Sequence, residues 1–78
     1  MAALLIANNL RRLRFEHGEM TQEALARAVG ITRQTIIALE AGRYAPSLEL
    51  AMRLARTFGC RVDEVFFWRE PEPTLIGT

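Results

Sequence analysis

The sequence predicts an all-α domain of five short helices, and three observations carry that expectation. Apolar residues recur three and four positions apart in successive stretches, the spacing that gathers them on one face of a helix. Thr21, Thr32 and Ser47 stand just before three of those stretches, where a hydroxyl accepts from an otherwise unpaired first-turn N–H. Gly18, Gly30, Gly42 and Gly59 stand just after them, as helix-ending residues do. No segment alternates with period two over a useful length.

Taken in order, the first helix is expected from about Leu4 to His17, with Ile6, Leu10 and Leu13 inward and Arg11, Arg12 and Glu16 outward; MAALLIA either extends this helix or pairs as a strand. His17, the only histidine of the chain, falls in the last turn, where positive charge complements the helix dipole. The second helix opens at Gln22 behind Thr21, buries Leu25 and Val29, and ends at Gly30. Ile31 plugs the corner. The third helix runs from its cap Thr32 to about Ala41. After the loop RYAPS, Ser47 caps a fourth helix whose stripe is Ala51, Leu54, Ala55 and Phe58. A fifth is expected over about Val62–Phe67, with Asp63 and Glu64 at its positive end and Val62, Val65 and Phe66 on the preceding helix. Beyond it, REPEP requires an extended path and TLIG is again apolar.

The stretch Met20–Gly42 therefore reads as two helices meeting at a sharp turn, the helix-turn-helix arrangement in which the second helix enters the major groove of DNA. In that second helix Ile36 and Leu39 point into the domain, while Arg33, Gln34, Ile37, Ala38 and Ala41 have no core to enter. Arg33 and Gln34 lie in its first turn. Arginine donates two hydrogen bonds to guanine, and glutamine pairs with adenine.

At 78 residues the chain makes one domain. We expect a DNA-binding domain over residues 1–70 and an extended tail over 71–78 that serves as a dimer contact. No run is long enough to cross a bilayer, and MAALLIA lacks the basic flank and cleavage pattern of a signal peptide. The lone cysteine, Cys60, excludes an internal disulfide, suits a reducing cytoplasm and reads as a packed thiol. Net charge is only +1, but its distribution is uneven. Residues 1–59 hold eight arginines against five glutamates, whereas residues 60–78 hold two arginines against four carboxylates. The basic excess lies with the turn region, as expected of a side that meets phosphate. No nucleophile has a base partner, no glycine loop cradles phosphate, and no residues stand at metal-ligand spacing. An enzyme, a metal and a cofactor are not expected.

The run NNLRRLRFEHGEMTQEALARAVGITRQTIIALEAGRYAPSLELAMRLARTFGCRVDEVFFW resembles the phage-repressor and Cro-like helix-turn-helix family, also called the xenobiotic response element family of bacterial regulators. TQEALA, the GITRQTI turn, the LEAGRYAPS stretch and the LAR-FG ending fall in order, as in small single-domain members. The resemblance implies five helices with the second and third forming the DNA-binding pair. It places base contacts at Arg33, Gln34 and Ala38, with Ile37 against a thymine methyl where similar proteins often carry a polar residue. Phosphate contacts are implied for Gln22, which also braces the recognition helix, and for Thr32, Thr35, Arg43 and Tyr44. Arg14 and Glu40 are implied as a structural ion pair. Glu19 is an extra residue that lengthens the bend before Thr21.

The expected function is a sequence-specific regulator of double-stranded DNA, cytoplasmic and nucleoid-associated: a homodimeric repressor or autoregulator reading an inverted repeat. Phe67, Trp68, Leu75 and Ile76 are the expected dimer patch, since exposed apolar clusters mark interfaces. Two other functions fit the same sequence. An antitoxin-like repressor would grip a co-encoded protein with its apolar, acidic tail. A helix-turn-helix reused as a protein-interaction adaptor would use Ile37 on the open face.

Overall fold

The computed structural model describes residues 5–69. Five helices follow one another: α1 (Leu10–Glu16), α2 (Gln22–Val29), α3 (Arg33–Glu40), α4 (Leu48–Thr57) and α5 (Val62–Val65). Two three-residue strands, β1 (Ile6–Asn8) and β2 (Phe66–Trp68), bracket them and pair antiparallel, with Ile6 opposite Trp68 and Asn8 opposite Phe66. The body is all-α, and the small sheet joins its two ends.

The caps follow local chemistry. Thr21 accepts from Ala24 N, Thr32 from Thr35 N and Ser47 from Leu50 N, each three residues ahead, so each helix begins with one orphan donor satisfied. Gly30 ends α2 at φ +77°, which glycine adopts without a Cβ penalty. Glu19 adopts φ +55° immediately after Gly18, so the bend before α2 contains a left-handed non-glycine residue. Reciprocal bonds brace it: Met20 N donates to Arg14 O at 2.9 Å, and Arg14 Nη1 donates to Met20 O at 2.8 Å.

Leu10, Leu13, Leu25, Val29, Ile36, Leu39, Leu54, Ala55, Phe58 and Val65 form one continuous core, one contribution or more from every helix. Phe66, Cys60 and Ile31 pack against its margin. Burial of this set is the main favourable term holding α3 in place, each fully buried leucine or isoleucine stabilising by roughly 1.5–3 kcal/mol.

Two boundaries differ from the sequence expectation. The first helix starts at Leu10, not near Leu4, because Ile6–Asn8 is extended along β2. Asn8 Oδ1 accepts from Leu10 N at 3.1 Å, which favours starting the helix there. The fifth helix stops at Val65, not Phe67, since the aromatic run Phe66–Trp68 pairs as a strand. Leu4 and the tail 71–78, with Leu75 and Ile76, lie outside the described residues.

Candidate nucleic-acid interface

The site is built on α3, whose back is nailed down and whose front is open. Ile36 and Leu39 are fully buried beneath it. Arg33 and Gln34 are exposed in its first turn, and Ile37 and Ala38 are half-buried one turn on. Just before them Thr32 Oγ1 lies 3.0 Å from Thr35 Oγ1, so two hydroxyls stand side by side at the N-terminal end. Arg43 and Tyr44 are exposed just past the other end. Eight of the nine sequence-predicted contact residues thus fall on α3 or its flanks, and the ninth, Gln22, opens α2.

Gln22 is half-buried, and its Nε2 donates to Glu40 Oε1 at 3.1 Å, which links the start of α2 to the end of α3. Glu40 also receives Arg14 through two bonds, Nε to Oε2 at 2.7 Å and Nη2 to Oε1 at 3.0 Å. This parallel fork is the strongest geometry available to the two groups. Their side chains retain 14% and 10% of their exposure. The arrangement can brace helices; it presents no reactive atom.

Between α1, α2 and α3 lies an open polar cleft of about 680 Å³, lined by Arg11, Thr21, Gln22 and Arg33 among others. Arg11, an outward residue of the first helix in the sequence pattern, sets its guanidinium over the Phe15 ring at 5.9 Å, and the i,i+4 spacing of the two residues is the sequence signal for that contact. Among the described residues, Arg33 and Arg43 have no carboxylate partner, whereas Arg12, Arg27, Arg53 and Arg61 each pair with one nearby in sequence. Positive charge is therefore left uncompensated at both ends of α3.

Elsewhere, His17 Nδ1 donates to Leu13 O at 2.8 Å and its ring meets Phe58 edge-on at 5.0 Å, a packing role. Among the described residues no group of His, Cys, Asp and Glu is placed to hold a metal, and no helix is long and apolar enough to cross a membrane. Phe67 and Trp68 are exposed on β2 beside exposed Leu5.

The helix-turn-helix family profile matches residues 10–65, from the first turn of α1 to the last residue of α5. This chain belongs to the XRE/Cro-like helix-turn-helix family. An uncharacterized HTH-type transcriptional regulator of Methanocaldococcus jannaschii is 45% identical over 65 residues, covering 83% of this chain and 97% of the relative. The HTH-type regulator YgzD of Bacillus subtilis is 43% identical over 65 residues, covering 83% and 96%. Among solved structures, the P22 c2 repressor, determined with a synthetic operator, superposes with a TM-score of 0.65 at 25% identity, covering 70% of this chain and 82% of that one. The protein is a transcriptional regulator with a helix-turn-helix DNA-binding fold, not an enzyme.

Proposed function

We propose that this regulator reads double-stranded DNA as a homodimer, laying α3 of each copy in successive major grooves of an inverted repeat, and acts as a repressor or autoregulator in the cytoplasm. One observation carries the reading: Arg33 and Gln34 are exposed in the first turn of a capped helix whose opposite face is fully buried. Arg33 and Gln34 take base edges, Ile37 and Ala38 take apolar contacts such as a thymine methyl, and Thr32, Thr35, Gln22, Arg43 and Tyr44 hold phosphates. That the similarly folded P22 c2 repressor was determined with a synthetic operator supports DNA as the partner.

The test is selection of bound DNA from a random pool, followed by titration of Arg33→Ala on the selected duplex and on a scrambled one. The variant is expected to lose roughly 1–3 kcal/mol on the selected site and little on the scrambled site. Equal losses on both would remove Arg33 from the base-reading set.

For the dimer, Phe67 and Trp68 form one apolar contact surface, with Trp68 57% exposed. A second surface is favoured by a specific observation. The groove between α4 and α5, about 820 Å³, is lined by Leu48, Met52, Ala55, Cys60 and Val62. Leu48 and Met52 remain 73% and 56% exposed there. Arg53, already paired with Glu49, and Arg56, which lacks a carboxylate partner among the described residues, edge the groove. Sedimentation of Trp68→Glu and Met52→Glu decides between the two surfaces, because a buried charge dissociates only the dimer that uses that residue.

A further inference from the structure

We propose that Asn8 is a positioning residue for DNA reading: its side-chain amide fixes the far end of α3 to the terminal sheet, a role that rests on α3 being the reading helix. Leu39 O is one of the last carbonyls of α3, a group with no i+4 donor inside the helix. It accepts from Gly42 N at 3.0 Å and from Asn8 Nδ2 at 2.8 Å, which uses both of its lone pairs. The same amide accepts at Oδ1 from Leu10 N at 3.1 Å. Only one orientation of the amide serves both partners, since reversing it would set oxygen against carbonyl and NH₂ against N–H.

The backbone of Asn8 faces Phe66 across the sheet. A single side chain therefore joins β1, the start of α1 and the end of α3. Arg69, the residue after β2, packs against the same end: a Cβ placed on Gly42 would stand 2.9 Å from its Nη2. Asn9, one residue along, makes bonds of the same kind to α5 instead, with Nδ2 on Glu64 O at 3.1 Å and N on Val65 O at 2.9 Å.

The lever is short and sensitive. Arg33 and Leu39 are six residues apart, about 9 Å along the axis, so a 10° tilt displaces one end by about 1.6 Å. Productive contacts tolerate about 0.5 Å. The corner at Ile31–Thr32 holds the leading end of α3; at the trailing end Arg14 and Gln22 hold the Glu40 side chain, while Asn8 holds the backbone itself at Leu39 O. Loss of that hold degrades base reading, which needs exact placement, before it degrades phosphate attraction, which does not.

The full chain is tested as Asn8→Asp, which keeps the acceptor for Leu10 N and removes the donor to Leu39 O, with Asn8→Ser as the milder second variant. Asn9→Ala is the comparator that loses a bond on the α5 side alone. Affinities for a duplex selected by the wild type and for a scrambled duplex are measured at one salt concentration, well below each melting temperature. Amide exchange is followed at Gly42 and Arg43, whose N–H groups close the end of α3 on Leu39 O and Ala38 O. Both Asn8 variants are expected to lose about tenfold in the selected-to-scrambled ratio, the lower end of what one displaced bidentate base contact costs, and to exchange faster at Gly42 and Arg43. Asn9→Ala is expected to melt earlier yet keep the ratio. An unchanged ratio in Asn8→Asp and Asn8→Ser, or an equal loss in Asn9→Ala, overturns the inference. A wild type that does not discriminate between the duplexes overturns the DNA reading itself, a separate outcome.

Discussion

Arg14→Ala is the perturbation whose size the structure constrains best. The guanidinium makes three hydrogen bonds, two to Glu40 at 2.7 and 3.0 Å and one to the Met20 carbonyl at 2.8 Å. Its removal leaves the Glu40 carboxylate, 10% exposed, with Gln22 Nε2 as its remaining side-chain donor. Breaking one partner of a buried pair costs about 3–5 kcal/mol. The polar cleft beside Glu40 admits water to the stranded charge, so the lower end, about 3 kcal/mol, is expected. A domain of 78 residues is stable by roughly 4–12 kcal/mol. The variant therefore folds but melts about 12–24 °C lower.

Thermal unfolding followed by circular dichroism measures this, and a double-mutant cycle assigns it. Removing both charges, as Arg14→Met with Glu40→Met, is expected to cost at least about 1.5 kcal/mol less than the sum of the single changes. Arg27→Ala supplies the contrast. Its partner Glu23 lies at 3.2 Å, but the two side chains are 79% and 61% exposed, so about 0.5 kcal/mol or less is at stake. If Arg14→Ala costs no more than Arg27→Ala, or if the two single changes simply add, the inter-helix fork does not hold α1 to α3.

Three further outcomes are expected. Arg43→Ala should weaken binding to every duplex alike and flatten the dependence of log affinity on log salt by about one unit per bound protomer; an unchanged slope would remove Arg43 from the phosphate contacts. Glu19→Gly relieves a left-handed residue at φ +55° and should raise stability by about 0.5–1 kcal/mol after the greater freedom of the unfolded chain is counted; a lower melting temperature would mean that the Glu19 side chain itself stabilises the bend. Burial pushes the Cys60 thiol up, and the Glu64 carboxylate pushes it further. The folded state thus holds this proton more tightly, so the thiol's contribution is complete below the ordinary value of about 8.5 and is lost as pH rises through the raised one. Wild type should accordingly lose stability at alkaline pH relative to Cys60→Ala, and thiolate absorbance with a midpoint at or below that of free cysteine would refute the shift.

What was legible in the sequence was local. A hydroxyl meets an N–H three residues ahead in each of the caps at Thr21, Thr32 and Ser47. The inward faces of α2, α3 and α4 likewise need only the helical period. A strand in MAALLIA was legible only as one of two courses and its partner not at all, because the strands are three residues long and Ile6 pairs with Trp68 across nearly the whole chain. Neither strand has a turn signal beside it, and Ile6 suits a helix stripe as well as a strand. The bond from Asn8 to Leu39 spans 31 positions and leaves no mark on periodicity. Arg14 and Glu40 came from resemblance alone, and no spacing rule joins residues 26 apart.

The small net charge is best judged by where neutralisation occurs. Arg12, Arg27 and Arg53 each have a glutamate four residues away on the same helix, and Arg61 has Asp63. Such pairs cancel locally, so beyond a Debye length they contribute little field. Arg14 is cancelled inside the fold by Glu40. Of the arginines with no carboxylate partner among the described residues, Arg33 and Arg43 stand at the two ends of α3, Arg11 lines the cleft beside it, and Arg56 lies away at the α4–α5 groove. A total of +1 therefore understates the potential a phosphate would meet at α3. It follows that charge reversal at Glu16, a residue that does not line the cleft beside α3, leaves the total more positive yet should change DNA affinity far less than loss of Arg43, which lowers it by one. Equal effects per unit charge would mean that net charge, rather than its placement around the reading helix, governs binding.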